Sequence, residues 1–238
     1  MRLVLISDTH NKHNHLTSKG MGNILPEGDL LIHAGDLTGT GTKGEVQNVF
    51  EWFKEVSSRY TYGVVFIAGN HDRSFDPKFN LESQTQKPAW LQEELYELQY
   101  GNHDVTYLEN ESIMVNTLSI WGSPITPWFY GDRWAFNKHR GSPINDVWNT
   151  ITPYTDIVIT HGPPLGYGDF TVMDKRHVGC EDLRYKVKEL KPKLHVFGHI
   201  HEGYDVIEEE HTTYVNASIC ELNYEPNNKP IEIDLELD

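Results

Sequence analysis

Cysteine and long apolar runs are both scarce in this sequence. Its 238 residues include two cysteines, Cys180 and Cys220, which excludes a disulfide-rich scaffold and favours reduced thiols inside the cell. The first apolar run, residues 3–6, ends at Ser7-Asp8 and is too short for the apolar segment of a signal peptide. No run approaches the ~18 apolar residues of a membrane helix. The sequence therefore predicts a cytoplasmic protein with no membrane partner.

Basic residues are also few. Lys and Arg total 20 against 35 Asp and Glu, which gives a formal net charge of -15. Proteins that grip long nucleic acids neutralise phosphates with basic side chains, so this balance argues against a duplex as partner. A small anionic substrate is compatible with it if metal ions reverse the charge locally. Composition leaves the oligomeric state open.

The length of the chain predicts one domain over residues 1–238. Within it, short apolar segments that end in polar loops dominate. The segments are RLVLIS (2–7), DLLIHA (29–34), GVVFIA (63–68), DIVIT (156–160) and KLHVF (193–197). Nearly continuous apolar composition is typical of strands that are buried on both faces. Apolar residues recur at helical spacing in the segments 43–58, 88–98 and 180–190. Strands that alternate with helices predict a largely parallel sheet.

Antiparallel strands complete the predicted fold. Residues 112–121 indicate two strands joined around Asn116-Thr117, residues 204–218 a hairpin, and residues 230–237 a last strand. The predicted class is therefore α/β, with two packed mixed β-sheets flanked by helices.

Polar side chains follow five of the predicted strands. In folds of this kind, ligands bind beyond the carboxyl ends of the strands, so we expect one edge of the molecule to collect Asp8, His10, Asp36, Asn70, His71, His161, His199 and His201. Carboxylate, imidazole and amide groups without thiolate suit Mn, Fe or Zn ions. Eight such residues are enough to hold two ions, and Asp36, which follows a glycine, is placed to bridge them.

The same motifs resemble a known family. The order DTH, GD, GNHD, a lone His in THGPP and then GHIH resembles the signature of calcineurin-like metallophosphoesterases, from Met1 to about Asn216. The segments WAFNKHRG, VITHGPPLGYGD, HVGCEDL and YVNASIC also resemble the metallophosphoesterase-domain-containing proteins of animals, which are relatives of class III cyclic-nucleotide phosphodiesterases. The resemblance implies the αββα sandwich of that family.

The resemblance also implies a role for each motif residue. One ion would be bound by Asp8, His10 and His201, and the other by Asn70, His161 and His199. Asp36 would bind both ions, while His71 would bind none and would face the scissile phosphate as the catalytic residue. The implied activity is hydrolysis of small phosphodiesters, with cyclic nucleotides favoured, by a metal-activated water. Mn²⁺ is the expected metal, with Fe and Zn as alternatives.

Substrate contacts are less well defined by the sequence. We expect them from Asn70 and His71, from Gly162 and Pro163 in the loop after His161, and from Asn137 and Arg140 in WAFNKHRG, which also reads as a plain surface loop. Other functions stay open: a protein phosphatase, a small-molecule phosphomonoesterase, a nuclease, or a binding protein that keeps the metal site. The phosphatase pattern GDxxDRG is replaced here by GDLTGTG, which weakens that alternative.

The tetrapeptide GNHD occurs twice. The copy at 69–72 follows the apolar segment VVFIA, as a strand-end site requires, whereas the copy at 101–104 follows a helical segment. We expect the second copy to be a helix-to-strand turn, because glycine commonly ends a helix. His33 and His195 lie inside apolar segments and are predicted to be core residues, with His33 close enough in sequence to support the Asp36 loop.

Overall fold

The computed structural model describes residues 1–17, 24–101 and 103–236. The strands are β1 Arg2–Ile6, β2 Leu30–Ala34, β3 Val64–Ile67, β4 Val105–Tyr107, β5 Glu111–Val115, β6 Leu118–Ser123, β7 Thr126–Pro127, β8 Asn137–Lys138, β9 Ile157–Thr160, β10 Phe170–Thr171, β11 Arg176–His177, β12 Leu194–Phe197, β13 Asp205–Glu208, β14 Thr213–Asn216 and β15 Ile231–Asp234. The helices are α1 Asn14–Thr17, α2 Lys43–Ser57, α3 Ala89–Tyr100, α4 Ser142–Trp148 and α5 Glu181–Leu190. Short 3-10 turns cover Arg73–Phe75, Pro77–Phe79 and His201–Gly203.

Two large sheets form the centre of the fold, and both are mixed. The first has the order β15-β1-β2-β3-β4, in which β15 is antiparallel to β1 and the other pairs are parallel. The second has the order β13-β14-β12-β9-β6-β5, with antiparallel pairs at its two ends and parallel pairs between them. The predicted fold class is confirmed.

The two faces of each sheet explain the apolar segments. Successive side chains of a strand point to opposite faces, and on β1 Leu3 and Leu5 join the core between the sheets, whereas Val4 and Ile6 join the core under the helices. All four are fully buried. Both faces must therefore be apolar, and the helix–sheet–sheet–helix layering follows from that pattern.

Helix α2 fixes the loop that leaves β2. Thr42 caps its first turn, and the Glu45 side chain accepts from the Thr42 backbone N–H, which is a capping box. Glu45 also accepts from the hydroxyl of Thr40 at 2.8 Å. Along the helix, Val46, Val49, Phe50 and Phe53 are buried against the first sheet. The GDLTGTG loop is thus anchored at both ends.

Helix α4 and two small ladders were not predicted. Helix α4 spans only Ser142–Trp148, which is too short to give a clear helical period, although it has Pro near its start as helices often do. Its Ile144, Val147 and Trp148 are buried. The pairs β7–β8 and β10–β11 involve strands of two residues each, too short to show a strand pattern in the sequence. Among the described residues, no helix is long and apolar enough to span a membrane.

The second GNHD copy forms the turn that the sequence predicted. Helix α3 ends at Tyr100 and strand β4 begins at Val105; Asn102, which we expected in this turn, lies outside the described residues. Gly101 follows the last residue of α3, as predicted, with a φ of -74°. Glycine is needed there because an added Cβ would lie 2.3 Å from the carbonyl oxygen of Glu97.

Candidate metal centre

The carboxyl ends of five parallel strands bring the motif residues to one place. β1 leads to Asp8 and His10, β2 to Asp36, β3 to Asn70 and His71, β9 to His161, and β12 to His199 and His201. Within this set the fully or almost fully buried side chains are those of Asp8, His10, Asp36, Asn70, His161 and His201. All eight residues chosen from the sequence thus lie at the expected edge.

One group of donors consists of Asp8, His10 and His201. Their ligand atoms lie within 4.8 Å of one another. His201 Nε2 is 3.3 Å from Asp8 Oδ1, and His10 Nε2 is 3.3 Å from His201 Nε2. Three donors of mixed type therefore point at a common space.

A second group consists of Asp36, His161 and His199, whose ligand atoms also lie within 4.8 Å of one another. His161 Nε2 is 3.3 Å from Asp36 Oδ1 and 3.0 Å from the amide oxygen of Asn70. The other oxygen of Asp36, Oδ2, is 3.8 Å from His10 Nε2 in the first group. Asp36 therefore faces both groups.

The imidazole tautomers test whether these residues fit metal ions. The Nδ1 atoms of His10, His161 and His201 lie 3.2, 3.0 and 2.9 Å from the carbonyl oxygens of Thr38, Ala34 and Glu221. A carbonyl only accepts, so each Nδ1 carries a hydrogen and the neutral ring has its lone pair on Nε2. The Nε2 atoms of His10 and His201 face each other across 3.3 Å, and in the neutral rings that bind metal both would carry lone pairs towards one space. Imidazoles whose Nδ1 is fixed in this way are typical metal ligands.

Charge in the cluster points the same way. Burial favours a higher pKa for Asp36, but His161 and His71 outweigh it and hold the pKa of this carboxyl well below its usual range. Burial lowers the pKa of His161, yet the nearby Asp36 carboxylate raises it to a net value of about 9. The two buried carboxylates Asp8 and Asp36 thus attract positive charge to the space between the rings, a demand that divalent cations satisfy. The donors present fit such ions.

Comparison with known proteins gives the family. Residues 1–203 match the calcineurin-like phosphoesterase family. The chain belongs to this family. Metallophosphoesterase domain-containing protein 1 of Homo sapiens is 43% identical over 242 residues, which are 98% of this chain and 71% of that protein. A UPF0046 protein of Caenorhabditis elegans is 35% identical over 245 residues, which are 100% of this chain and 82% of that protein. The resemblance seen in the sequence is confirmed.

A solved structure supports the fold. The protein TT1561 of Thermus thermophilus superimposes with a TM-score of 0.58 at 11% identity, covering 90% of this chain and 88% of that one. At such low identity the likeness extends to the fold alone. The two-sheet architecture is thus one that a solved structure shares.

The backbone of this member of the family is strained at four of the proposed ligands. Asp8, His10, Asp36 and His199 have φ values of 51°, 42°, 52° and 68°, in the left-handed region that side chains with a Cβ seldom adopt. Such residues cluster at functional sites, at a cost of about 1–3 kcal/mol each. The strain turns these side chains back towards the centre as each strand ends.

Two glycines let the strand ends approach closely. A Cβ on Gly198 would lie 2.0 Å from Asp8 Oδ2, and one on Gly69 would lie 2.3 Å from Asp36 Oδ1. Neither position leaves room for a side chain. The glycines of GHIH and GNHD therefore make space for the carboxylates of the neighbouring strands.

Sequence reasoning missed Asp72 and Ser218. The buried Asp72 carboxylate accepts the backbone N–H groups of Leu37, Thr38 and Gly69 at 3.1, 2.9 and 2.7 Å, so it ties the loops after β2 and β3 together. Ser218 donates its hydroxyl to Asp8 Oδ2 at 2.9 Å. The acidic residue that closes the GNHD motif was a usable signal for Asp72. Ser218, in the YVNAS segment, had no comparable signal.

His71 faces a small cavity above the donors. Its Nδ1–H donates to the carbonyl of Gly39 at 2.7 Å, which leaves Nε2 as the other ring nitrogen. Its backbone N–H donates to Asp36 Oδ1 at 2.8 Å. The cavity has a volume of about 180 Å³ and is also lined by Asn70, Trp134 and His199. The ring of Trp134 packs at 4.6 Å from that of His71.

The residues expected to contact substrate differ in their surroundings. Asn137 uses its amide within its own loop, with Thr126, Phe129 and Gly131 as partners. Arg140 donates to the carbonyls of Val178 and Gly179 at 2.8 and 2.9 Å. Pro163 and Arg140 line a larger cavity next to the donors, and the buried Gly162 lies beside Thr126 and Pro127. Asn137 therefore shapes the loop, and Arg140 braces a cavity wall.

His33 and His195 are core residues, as predicted. Both are fully buried. His33 Nε2 lies 2.9 Å from the hydroxyl of Thr9, and His195 Nε2 lies 2.9 Å from that of Thr160. His33 thus supports the turn that carries Asp8 and His10, and its Nδ1 also accepts the backbone N–H of Gly35 at 3.3 Å, next to Asp36, as the sequence led us to expect.

Proposed function

We propose that this chain is a dinuclear metal-dependent phosphodiesterase that hydrolyses small phosphodiesters, with cyclic nucleotides favoured. The observation that carries the proposal is the pair of donor groups that face Asp36 from its two sides. Two-metal sites in phosphatases and nucleases clamp the attacking and leaving oxygens of a phosphoryl group. Cytoplasmic location and a single domain over residues 1–238 remain predictions from the sequence.

The proposed ligands follow the two groups. Asp8, His10 and His201 would hold one ion, and Asn70, His161 and His199 the other, with Asp36 shared between them. When bound, the ions would supply a water nucleophile and positive charge for the phosphoryl oxygens. Two carboxylates among imidazole and amide donors suit Mn²⁺, and the same set accepts Fe or Zn.

The charge of the site explains how an acidic protein would take an anionic substrate. The chain carries a net charge of -15, which repels a phosphodiester at a distance. Two divalent cations would outweigh the carboxylates of Asp8 and Asp36, so the small cavity above them becomes positive. The phosphate would be attracted to that cavity and repelled by most of the remaining surface.

His71 is proposed to act on the phosphate without binding metal, although its ring also forms a donor group with His10 and Asp36. Since Gly39 keeps the hydrogen on Nδ1, a proton for the leaving oxygen would come from Nε2. Transfer of that proton would leave a neutral ring with Nδ1–H still bound to Gly39. His71 is therefore proposed as the general acid, and Asn70 as a ligand that also borders the phosphate.

A metal-reconstitution assay tests the proposal. Chelator-treated protein should hydrolyse neither bis-p-nitrophenyl phosphate nor a cyclic nucleotide, and added Mn²⁺ should restore both reactions. Turnover of p-nitrophenyl phosphate in place of the diesters would favour a phosphomonoesterase. Stoichiometric metal binding with no turnover of either would favour a binding protein. Full diesterase activity in chelator would contradict the mechanism.

A further inference from the structure

The loop that follows β14 lies beside the first donor group. We call residues 219–228 the strap. At its start, the backbone N–H of Ile219 donates to the carbonyl of Ser7 at 2.8 Å, and that of Cys220 donates to the carbonyl of Asp8 at 3.3 Å. The strap therefore runs directly along the turn that carries the first ligands, although sequence reasoning gave this segment no role.

The strap orients one ligand and is itself tied down. The carbonyl of Glu221 accepts the Nδ1–H of His201 at 2.9 Å and the backbone N–H of Tyr224 at 2.8 Å. The ammonium of Lys12 donates to the carbonyl of Tyr224 and lies 3.6 Å from the carboxylate of Glu225. The backbone of Tyr224 is thus held at its N–H and at its carbonyl. Its φ of 63° is left-handed, which non-glycine residues seldom adopt.

The ring of Tyr224 lies against three imidazoles of the site. Its centroid is 4.8 Å from that of His10 and 5.3 Å from that of His201, in both cases edge-to-face. The distance to the His71 ring is 6.1 Å. Tyr224 also lines the small cavity above the donors, together with Asp36. Since its side chain is 43% exposed, part of it stays accessible to a ligand in that cavity.

The hydroxyl of Tyr224 is available to such a ligand. The hydroxyls of Tyr60 and Tyr204 each donate to a backbone carbonyl, whereas in the described part of the chain that of Tyr224 has no hydrogen-bond partner. Burial raises the pKa of the Tyr224 phenol, and the carboxylates of Asp36 and Asp8 raise it further. The hydroxyl therefore lies within electrostatic range of both donor groups and carries a hydrogen that it can donate.

The small cavity offers a phosphate few other donors. None of the described residues that line it is Lys or Arg, and the acidic Glu202 is among them. Bound ions would hold some of the phosphoryl oxygens, and a remaining charged oxygen needs a hydrogen bond because leaving it unpaired is costly. The lining side chains that can donate without binding metal include His71, Trp134 and Tyr224. Of these, Tyr224 is the one that contacts the rings of the first donor group.

We propose that the Tyr224 hydroxyl donates a hydrogen bond to a phosphoryl oxygen of the substrate, which makes Tyr224 a further catalytic residue. This assignment rests on the proposed phosphodiesterase function and adds a donor for an oxygen that stays on phosphorus. His71 acts instead at the leaving oxygen. The contribution of Tyr224 is therefore independent of the leaving group, whereas that of His71 depends on it.

Tyr224→Phe tests the assignment, because it removes the hydroxyl and keeps the ring that packs against His10 and His201. Hydrogen bonds to charged groups contribute about 10–100-fold to binding. The Mn²⁺-loaded variant should lose a factor of about 10–100 in kcat/KM, equally on bis-p-nitrophenyl phosphate and on a cyclic nucleotide. Calorimetric titration should show weaker binding of inorganic phosphate by a similar factor. The metal content should equal that of the wild type.

Tyr204→Phe is the matched control. The Tyr204 hydroxyl donates to the carbonyl of Lys229 at 2.9 Å, immediately after the strap, so this variant removes a phenol bond that holds the chain in place. It should keep wild-type kinetics and phosphate affinity. An equal loss in Tyr204→Phe would show that a loosened strap causes the effect, and it would overturn the assignment.

The remaining outcomes separate the donor from its alternatives. Wild-type kinetics and phosphate affinity in Tyr224→Phe would overturn the assignment, as would loss of its metal ions. A larger loss on the cyclic nucleotide would place the hydroxyl at the leaving oxygen, and a loss confined to Trp134→Phe would assign the bond to the indole N–H. If the wild type hydrolyses neither diester, the proposed function fails, and the phosphate titration still decides. Weaker binding by Tyr224→Phe would then support the donor; equal binding, or none, would contradict it.

Discussion

Asp36 directs one carboxylate oxygen towards each of two groups of imidazoles, at 3.3 Å from His161 and 3.8 Å from His10. Its φ of 52° is left-handed, and the loop that carries it is held by Asp72 and by the cap of α2. At the scale of the residue, the side chains of the site are fixed in direction. Left-handed backbone conformations orient some of them, and hydrogen bonds to backbone carbonyls orient several of the imidazoles. This is where single substitutions are most informative.

His71→Ala should keep the metal ions and lose turnover. General acid catalysis contributes ~10²–10⁴-fold, and the loss should be larger for a cyclic nucleotide, whose alkoxide leaving group needs a proton, than for a nitrophenolate. Kinetics on the two substrates, together with metal analysis of the variant, measures this. Equal losses would indicate charge stabilisation instead, and wild-type rates would remove His71 from the mechanism.

The twin motifs allow a matched comparison. Asn70→Ala removes an amide oxygen that lies 3.0 Å from His161 Nε2, so it should lower metal content and activity together. His103→Ala, in the second GNHD copy, should change neither quantity, because the His103 ring lies beside helix α3, with its Nε2 3.9 Å from Glu97 Oε1. Loss of this contact should cost at most about 1 kcal/mol of stability. An inactive but folded His103→Ala protein would place the second copy in the site.

At the scale of the element, metal binding depends on the glycine turns at the strand ends, which let the loops approach one another closely. Gly198→Ala forces a methyl group into the space beside Asp8 and Ser7, where the nearest atom would be 2.0 Å away. The expected result is a folded protein that binds less metal at the Asp8 group. Calorimetric titration with Mn²⁺ measures the loss.

Gly44→Ala is the control for that substitution. An added Cβ at Gly44 meets nothing within 4 Å, and alanine in an exposed helix stabilises by about 0.5–1 kcal/mol relative to glycine. Metal affinity should stay at the wild-type value. If Gly198→Ala behaves like Gly44→Ala, the close approach of β12 to Asp8 is not a condition for binding.

The sequence predicted the strands because both faces of the sheets are buried, so that β1, β2, β3, β9 and β12 are nearly uninterrupted apolar segments. It also predicted that the eight motif residues would meet, because parallel strands place their carboxyl ends at one edge. Helix α4 and the two-residue ladders were not predicted, because elements this short do not show a clear helical or strand period. Ser218 escaped because its role lies in a hydrogen bond to another loop, which no local pattern reports. Asp72 also ties distant loops together, but its place at the end of the GNHD motif was a signal that could have been used.

At the scale of the whole molecule, the proposed metal centre joins both sheets. Asp8 and Asp36 follow strands of the first sheet, and His161, His199 and His201 follow strands of the second. Ions bound between them stabilise the folded chain by mass action, by ~2.7 kcal/mol for each site at a concentration of 100 times Kd. Chelation should therefore lower the melting temperature, and Mn²⁺ should restore it. An unchanged melting curve would contradict binding across the sheets.

Net charge is the other property of the whole molecule. At -15, the surface should repel duplex DNA, so a duplex should be hydrolysed far more slowly than a mononucleotide cyclic diester. Binding assays at low and moderate salt measure the interaction. Tight binding that weakens steeply with salt would reveal a basic face and contradict the expectation.

Anomalous diffraction from crystals grown with Mn²⁺, collected above and below the manganese edge, tests the central claim most directly. The predicted map has two manganese peaks, one among Asp8, His10, His201 and Asp36, and the other among Asp36, Asn70, His161 and His199. Asn70→Ala crystals should weaken the second peak alone. A single peak, or no peak at these residues while the protein hydrolyses phosphodiesters, would contradict a two-metal centre that Asp36 bridges.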